Sequence, residues 1–146
     1  MKDFLPQSRI FRRKNVVFEI GNKYFDDTAV KRCVQKINTL VEQLDSWVLI
    51  SIPDKSKGIT PAAAEKAVDL LKQALKSNCE AVLILTSNTS GKIFAHALKE
   101  HGLDHKLFCS ESLIEIMRKA ETLLGDPTLF MDGETQIKKN ITSENS

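Results

Sequence analysis

Hydrophobic positions along the chain fall into two alternating kinds of run. Short apolar-rich stretches that read as strands occur at Val16–Ile20, Trp47–Ile52 and Ala81–Leu85, the last of them apolar at every position. A strand that is apolar at every position is covered on both faces, as in a helix-flanked parallel sheet. Glu80–Thr86 is the clearest of these and is predicted to be the central strand. Between them lie longer segments whose apolar residues recur every three to four positions. From Asp26 or Asp27 to about Leu44 these are Val30, Cys33, Val34, Ile37, Leu40, Val41 and Leu44. From Thr60 to about Lys76 they are Ala64, Ala67, Val68, Leu71, Ala74 and Leu75. Such spacing predicts helices with one buried stripe. Thr60-Pro61 is a strong start signal, a threonine N-cap followed by a proline whose missing N–H costs nothing there.

A third helix follows the loop Ser87–Gly91 and ends near Gly102, with Phe94, Ala97 and Leu98 inward. His105–Cys109 reads as a short strand. Ser110 is predicted to cap a fourth helix, with Ser112 and Glu115 offering an alternative capping box. Gly125-Asp-Pro127 ends that helix. At the other end, Ser8–Arg13 and Asn15–Ile20 read as a hairpin turning near Lys14-Asn15. The order is therefore ββαβαβαβα. Short connections between alternating strands and helices require a mostly parallel five-stranded sheet with right-handed crossovers, flanked by four helices, with the first strand an antiparallel edge. The domain is expected to span 8–125. Residues 1–7 read as a loose arm and 126–146 as a flexible polar tail, unless Leu129, Phe130 and Met131 dock back on the body.

Composition narrows the function classes. At 146 residues the chain fits one domain with a real core. A formal net charge of +2 gives no general case for nucleic-acid binding. No apolar run is long enough to span a bilayer, and no signal-peptide h-region is visible. The cysteines, Cys33, Cys79 and Cys109, are odd in number and widely spaced. That argues against a structural zinc site and for a reducing, cytoplasmic setting. His96 and His101 read as solvent-facing helix residues without a ligand partner. Neither a metal nor a cofactor is expected.

No catalytic constellation stands out. Ser87-Asn-Thr-Ser-Gly-Lys92 leaves a strand and opens a helix, where phosphate sites occur. It lacks the first glycine of a Walker loop, and Ile93 stands where that loop needs Ser or Thr. Arg9, Arg12, Arg13 and Lys14 form a small basic patch that reads as a solvated edge discouraging strand addition. Three strand-to-helix loops must emerge on one edge of the sheet. They bring together Asp54, Ser56, Thr60, Ser87, Asn88, Thr89, Ser90 and Ser110 as candidate partner- or anion-binding residues. This edge is rich in hydrogen-bond donors and poor in general bases, which suits recognition better than proton transfer.

Trp47-Val-Leu-Ile-Ser-Ile-Pro53, the Thr60-Pro-Ala-Ala helix start, Asn78–Thr86 and Gly102–Leu113 together resemble the STAS-like proteins, relatives of the bacterial sporulation anti-sigma-factor antagonists. The similarity covers about Ser8 to Leu124. It implies a small α/β domain without a catalytic centre, acting in regulation or assembly by binding a protein partner. A homodimer and a small anionic or apolar ligand at the strand C-termini are also compatible with it. The antagonists carry Asp-Ser-Ser-Gly at the helix start, where a kinase phosphorylates a serine. This chain has Lys57-Gly-Ile-Thr-Pro61 instead, which leaves Thr60 and then Ser56 as the nearest candidates for phosphorylation.

Overall fold

A computed structural model describes residues 9–21, 27–53, 59–76 and 78–130. Met1–Gln7, Tyr24, Asp54, Ser56, Met131 and the rest of the expected tail lie outside the described residues. The elements follow the expected order: β1 Arg9–Arg13, β2 Val16–Ile20, α1 Asp27–Val41, β3 Trp47–Ile52, α2 Pro61–Lys76, β4 Cys79–Leu85, α3 Thr89–Glu100, β5 Leu107–Ser110 and α4 Leu113–Leu124. A short 3-10 turn, Asp104–Lys106, precedes β5 and takes the place of the first residues expected in that strand.

The sheet order is β1-β2-β3-β4-β5, antiparallel at β1–β2 and parallel elsewhere. The hairpin closes on the two residues Lys14 and Asn15, and Lys14 adopts the left-handed φ of 52°. Each later strand is added beside its predecessor in the same direction. Right-handed crossovers then put all three connecting helices on one face. The core confirms this, because it has two halves. Val17, Leu49, Val82 and Ile84 pack with Ile37, Val68, Leu75, Phe94 and Leu98 from α1, α2 and α3. Val16, Val48, Ile50, Ala81 and Leu83, the alternate positions, pack beneath Ile116 and Ala120 of α4. A buried leucine or isoleucine stabilises by about 1.5–3 kcal/mol, and the wholly buried Leu83 and Ile84 serve opposite halves.

One helix cannot cover five strands, and the second face is completed from the chain beyond α4. Gly125 ends that helix in the left-handed conformation, φ 62°. Asp126 then builds a turn, accepting from the Thr128 amide at 2.9 Å and its hydroxyl at 2.7 Å. These bonds, the hydroxyl's first, hold the Asp126 carboxyl below its ordinary range, with Lys14 helping. Leu129 and Phe130 follow, both buried in the second half-core. The apolar pair therefore docks. Arg13 Nε donates to Leu129 O at 3.2 Å, and Lys14 Nζ reaches Asp126 Oδ2 and Thr128 O at 3.5 Å each. Part of the basic patch is thus a clasp on the segment after α4.

Lys106 does similar work on the other face. Its ammonium donates to Leu75 O and Cys79 O, both at 2.8 Å. It sits at the C-terminal end of α2, where the helix dipole favours a cation. Asn78 between α2 and β4 takes φ 64°, a conformation asparagine tolerates better than most residues.

Candidate functional site

The C-terminal edge of the parallel strands carries the polar residues singled out from sequence, and most of them are occupied with structure. Thr60 is the N-cap of α2, its Oγ1 accepting from Ala63 N at 3.1 Å. Its side chain is exposed, as are Pro61 and Ala62 behind it. Asn88 caps α3, and both ends of its amide are used. Oδ1 accepts from Gly91 N at 2.9 Å, while Nδ2 donates to Pro53 O at 3.0 Å. One side chain thus ties the exit of β3 to the start of α3. Its oxygen takes a helix N-terminal amide that an anion would otherwise use.

Gly91 fits beneath this clip for a steric reason. A Cβ there would lie 2.3 Å from Leu85 O and 3.1 Å from Thr86 Cα. The first turn of α3 therefore rides directly on the last residues of β4. Ser90, expected as a loop hydroxyl open to partners, is buried. Ser87 and Thr89 are exposed, with Lys92 one turn further along α3.

Ser110 is also buried. It does not cap α4; Ser112 does, accepting from Glu115 N at 3.3 Å. In the capping box as expected, Glu115 would reach back to the N-cap amide. Here Ser110 is interposed. Its Oγ accepts from Ser112 N at 3.0 Å and donates to Glu115 Oε2 at 2.5 Å. Ser110 is thus unavailable to a partner for the same reason that it orders the helix start. Thr86 N donates to Ser110 O at 2.9 Å, joining β5 to β4 at this edge.

The structure therefore sorts the eight candidates. Thr60, Ser87 and Thr89 present side chains to solvent, Asn88 is a half-buried clip, and Ser90 and Ser110 are interior. Asp54 and Ser56 lie outside the described residues.

Sequence reasoning overlooked one polar pair at the same edge. Glu19 of β2 lies opposite Ser51 of β3 in the parallel register, and Ser51 Oγ donates to Glu19 Oε1 at 2.8 Å. Ser51 is fully buried. Burial raises the Glu19 carboxyl above its ordinary range, and the Ser51 hydrogen bond only partly offsets this. The signal was present. A glutamate inside an apolar run is drawn into the sheet, and here Glu19 is half-buried beside the serine.

No group of three or more metal-ligating side chains occurs among the described residues. His96 does have a carboxylate neighbour, contrary to expectation: Glu100, one helical turn on, lies 3.4 Å from its Nε2. Both side chains are exposed. The thiols differ in setting. Cys79 is buried, and desolvation pushes it up to about 11 despite the nearby Lys106 ammonium. Cys33 is half-buried against the first half-core and Cys109 is exposed on β5. At the opposite end of the strands, Lys14, Asn15, Ser46, Leu124, Asp126 and Leu129 line a depression of about 360 Å³. Its polar members are Lys14 and Asp126 of the clasp, Ser46, and Asn15, which donates to Ser46 O at 2.6 Å.

No helix among the described residues is long and apolar enough to cross a membrane. No protein-family model matches the chain, and neither a curated protein nor a solved structure is similar to it at a significant level.

Proposed function

We propose that the chain is a non-enzymatic, STAS-like regulatory module that binds a protein partner through the C-terminal edge of its sheet. The observation that carries this reading is the Asn88 clip. By bonding Pro53 O and Gly91 N it fixes the exit of β3 against the start of α3. A preorganised edge loses little conformational entropy when a partner seats on it. The exposed groups there, Thr60, Ser87, Thr89 and Lys92, are donors on or next to helix N-termini. They suit an acidic or phosphorylated group on the partner. The resemblance implies a small α/β domain, and the ββαβαβαβα order is compatible with it.

The test is a pair of aspartates at exposed positions, Thr60→Asp with Thr89→Asp. Aspartate still caps α2 and is favourable in the first turn of α3, so stability should hold. The added charge should repel an acidic partner. Proteins retained from native lysate by the wild-type chain should be lost from the double variant. They should be kept by Asp45→Asn, a control at the other end of the sheet. Equal retention by all three chains would refute the edge as the binding surface. Native mass spectrometry showing a stoichiometric small molecule and no protein would favour a ligand-binding domain instead.

A further inference from the structure

The net charge of +2 is an average over two unlike parts of the chain. Between Arg9 and Val41 the sequence holds eight lysines and arginines against three carboxylates, and the remainder is net acidic. The fold concentrates that excess on one flank. Arg12 of β1 reaches α1, its guanidinium donating to Leu40 O at 3.2 Å. A carbonyl satisfies the donor and leaves the charge uncompensated. Lys36 and Arg32 stand one and two turns before Leu40, so they line the side of α1 that meets β1. Both are exposed, as are Arg9 and Arg12. Among the described residues no carboxylate forms an ion pair with any of the four. Arg32 and Lys36, like charges one turn apart, repel each other. Phe11 stands in the middle of the same edge strand. By the alternation of a strand it shares a face with Arg9 and lies opposite Ile10 and Arg12. It stacks on its cross-strand partner Phe18, with ring centroids 5.0 Å and planes 12° apart. Phe18 in turn meets Phe130 edge-on at 6.1 Å. Phe11 is therefore the outermost of three rings, 41 % exposed, on the strand that ends the sheet. A charged edge that only discourages strand addition has no use for an open ring at its centre.

We propose that the flank formed by β1 and α1 binds single-stranded nucleic acid. Unpaired bases stack on aromatic rings while cations take the phosphates. Here a base extends the stack by seating on Phe11, and Arg9 holds a phosphate on the same face. Arg12, Lys36 and Arg32 carry the backbone over the edge of the sheet and along α1. The bases of a duplex are already stacked on one another, so a duplex could use the cations but not the ring. An anionic membrane fits less well. Beside these cations α1 exposes Gln35, Asn38 and Thr39, whereas a helix that enters a bilayer surface needs an apolar face outward. The site is separate from the strand C-terminal edge and does not depend on what binds there.

Fluorescence anisotropy of a labelled thymidylate strand of about twelve nucleotides, titrated with the full chain, tests this. Affinity should fall with salt at a logarithmic slope of about −0.7 for each phosphate held, hence about −2 to −3 for three or four cations. Arg32→Gln with Lys36→Gln should flatten that slope by about 1.4. Lys99→Gln with Arg118→Gln, the same loss of charge at exposed positions elsewhere, should leave it unmoved. Phe11→Ala should weaken binding by about five- to a hundredfold with the slope unchanged. Phe11→Trp keeps a ring in place and needs no loss of packing. Trp47 is fully buried, so the strand should quench the introduced indole alone. The proposal is overturned if the strand does not bind at about 50 mM salt, or if a duplex of the same length, an oligoglutamate or phosphatidylserine vesicles bind as well as the strand does. It is equally overturned if a folded Phe11→Ala chain binds like wild type, if the strand leaves the introduced indole unquenched, or if both double variants change the slope alike.

Discussion

Gly91→Ala sets two magnitudes against each other. Alanine in place of glycine inside a helix is ordinarily worth about 1 kcal/mol in its favour. Here the added methyl would sit 2.3 Å from Leu85 O, where contacts under 3.0 Å essentially never occur. The obstacle is backbone and cannot swing aside, so α3 must back away by about 0.7 Å or more. That movement strains the packing of Phe94 and Leu98 in the first half-core, and such overpacking costs about 1–3 kcal/mol. It also pulls Gly91 N from Asn88 Oδ1, now at 2.9 Å, and a lost N-cap costs about 1 kcal/mol. The net is a destabilisation of about 1–3 kcal/mol, or roughly 3–10 °C in Tm for a chain of this size. Scanning calorimetry measures it directly. Asn88→Ala alone should cost about 1 kcal/mol. The double variant should cost less than the sum, because the two changes break the same bond. A Gly91→Ala chain as stable as wild type, or more so, would show that helix propensity prevails and that α3 does not ride on β4 as described.

Two further outcomes are expected. Leu129→Ala should cost about 2–5 kcal/mol, because the side chain is 1 % exposed and lines the second half-core; an unchanged melting curve would show that this segment does not contribute to the fold. Under native conditions a thiol reagent should modify the exposed Cys109 first and reach the buried Cys79 only on unfolding. Burial raises both thiols, so labelling of Cys109 should quicken as pH rises from 7 to 9, and mass spectrometry of the modified peptides would expose any other order.

The strands were legible because runs such as Ala81–Leu85 are apolar without alternation, a pattern that a sheet covered on both faces demands. Thr60-Pro61 was legible because capping chemistry is local. What escaped was set at a distance. Arg13 and Lys14 clasp residues more than a hundred positions away, and no local pattern records such a bond. Ser90 and Ser110 read as loop hydroxyls, yet both are buried in the folded chain, Ser110 between the end of β5 and the start of α4. Between Ser110 and Ser112 the choice of cap was not local either, since both are good capping residues and the end of β5 decides between them.

The stepwise strand order bears on how the chain is made. Each strand from β2 to β5 joins the edge laid down just before it, so the sheet can grow outward as the ribosome delivers it, with no later strand needing to insert. The helices over the first face arrive in step with the strands they cover. The second face has no such provision. Val16, Val48, Ile50, Ala81 and Leu83 stay bare until α4 and Leu129–Phe130 emerge. A nascent chain stalled before Leu113 would therefore present a broad, sticky β-surface, and the segment from α4 to Phe130 acts as a cover for the sheet made before it.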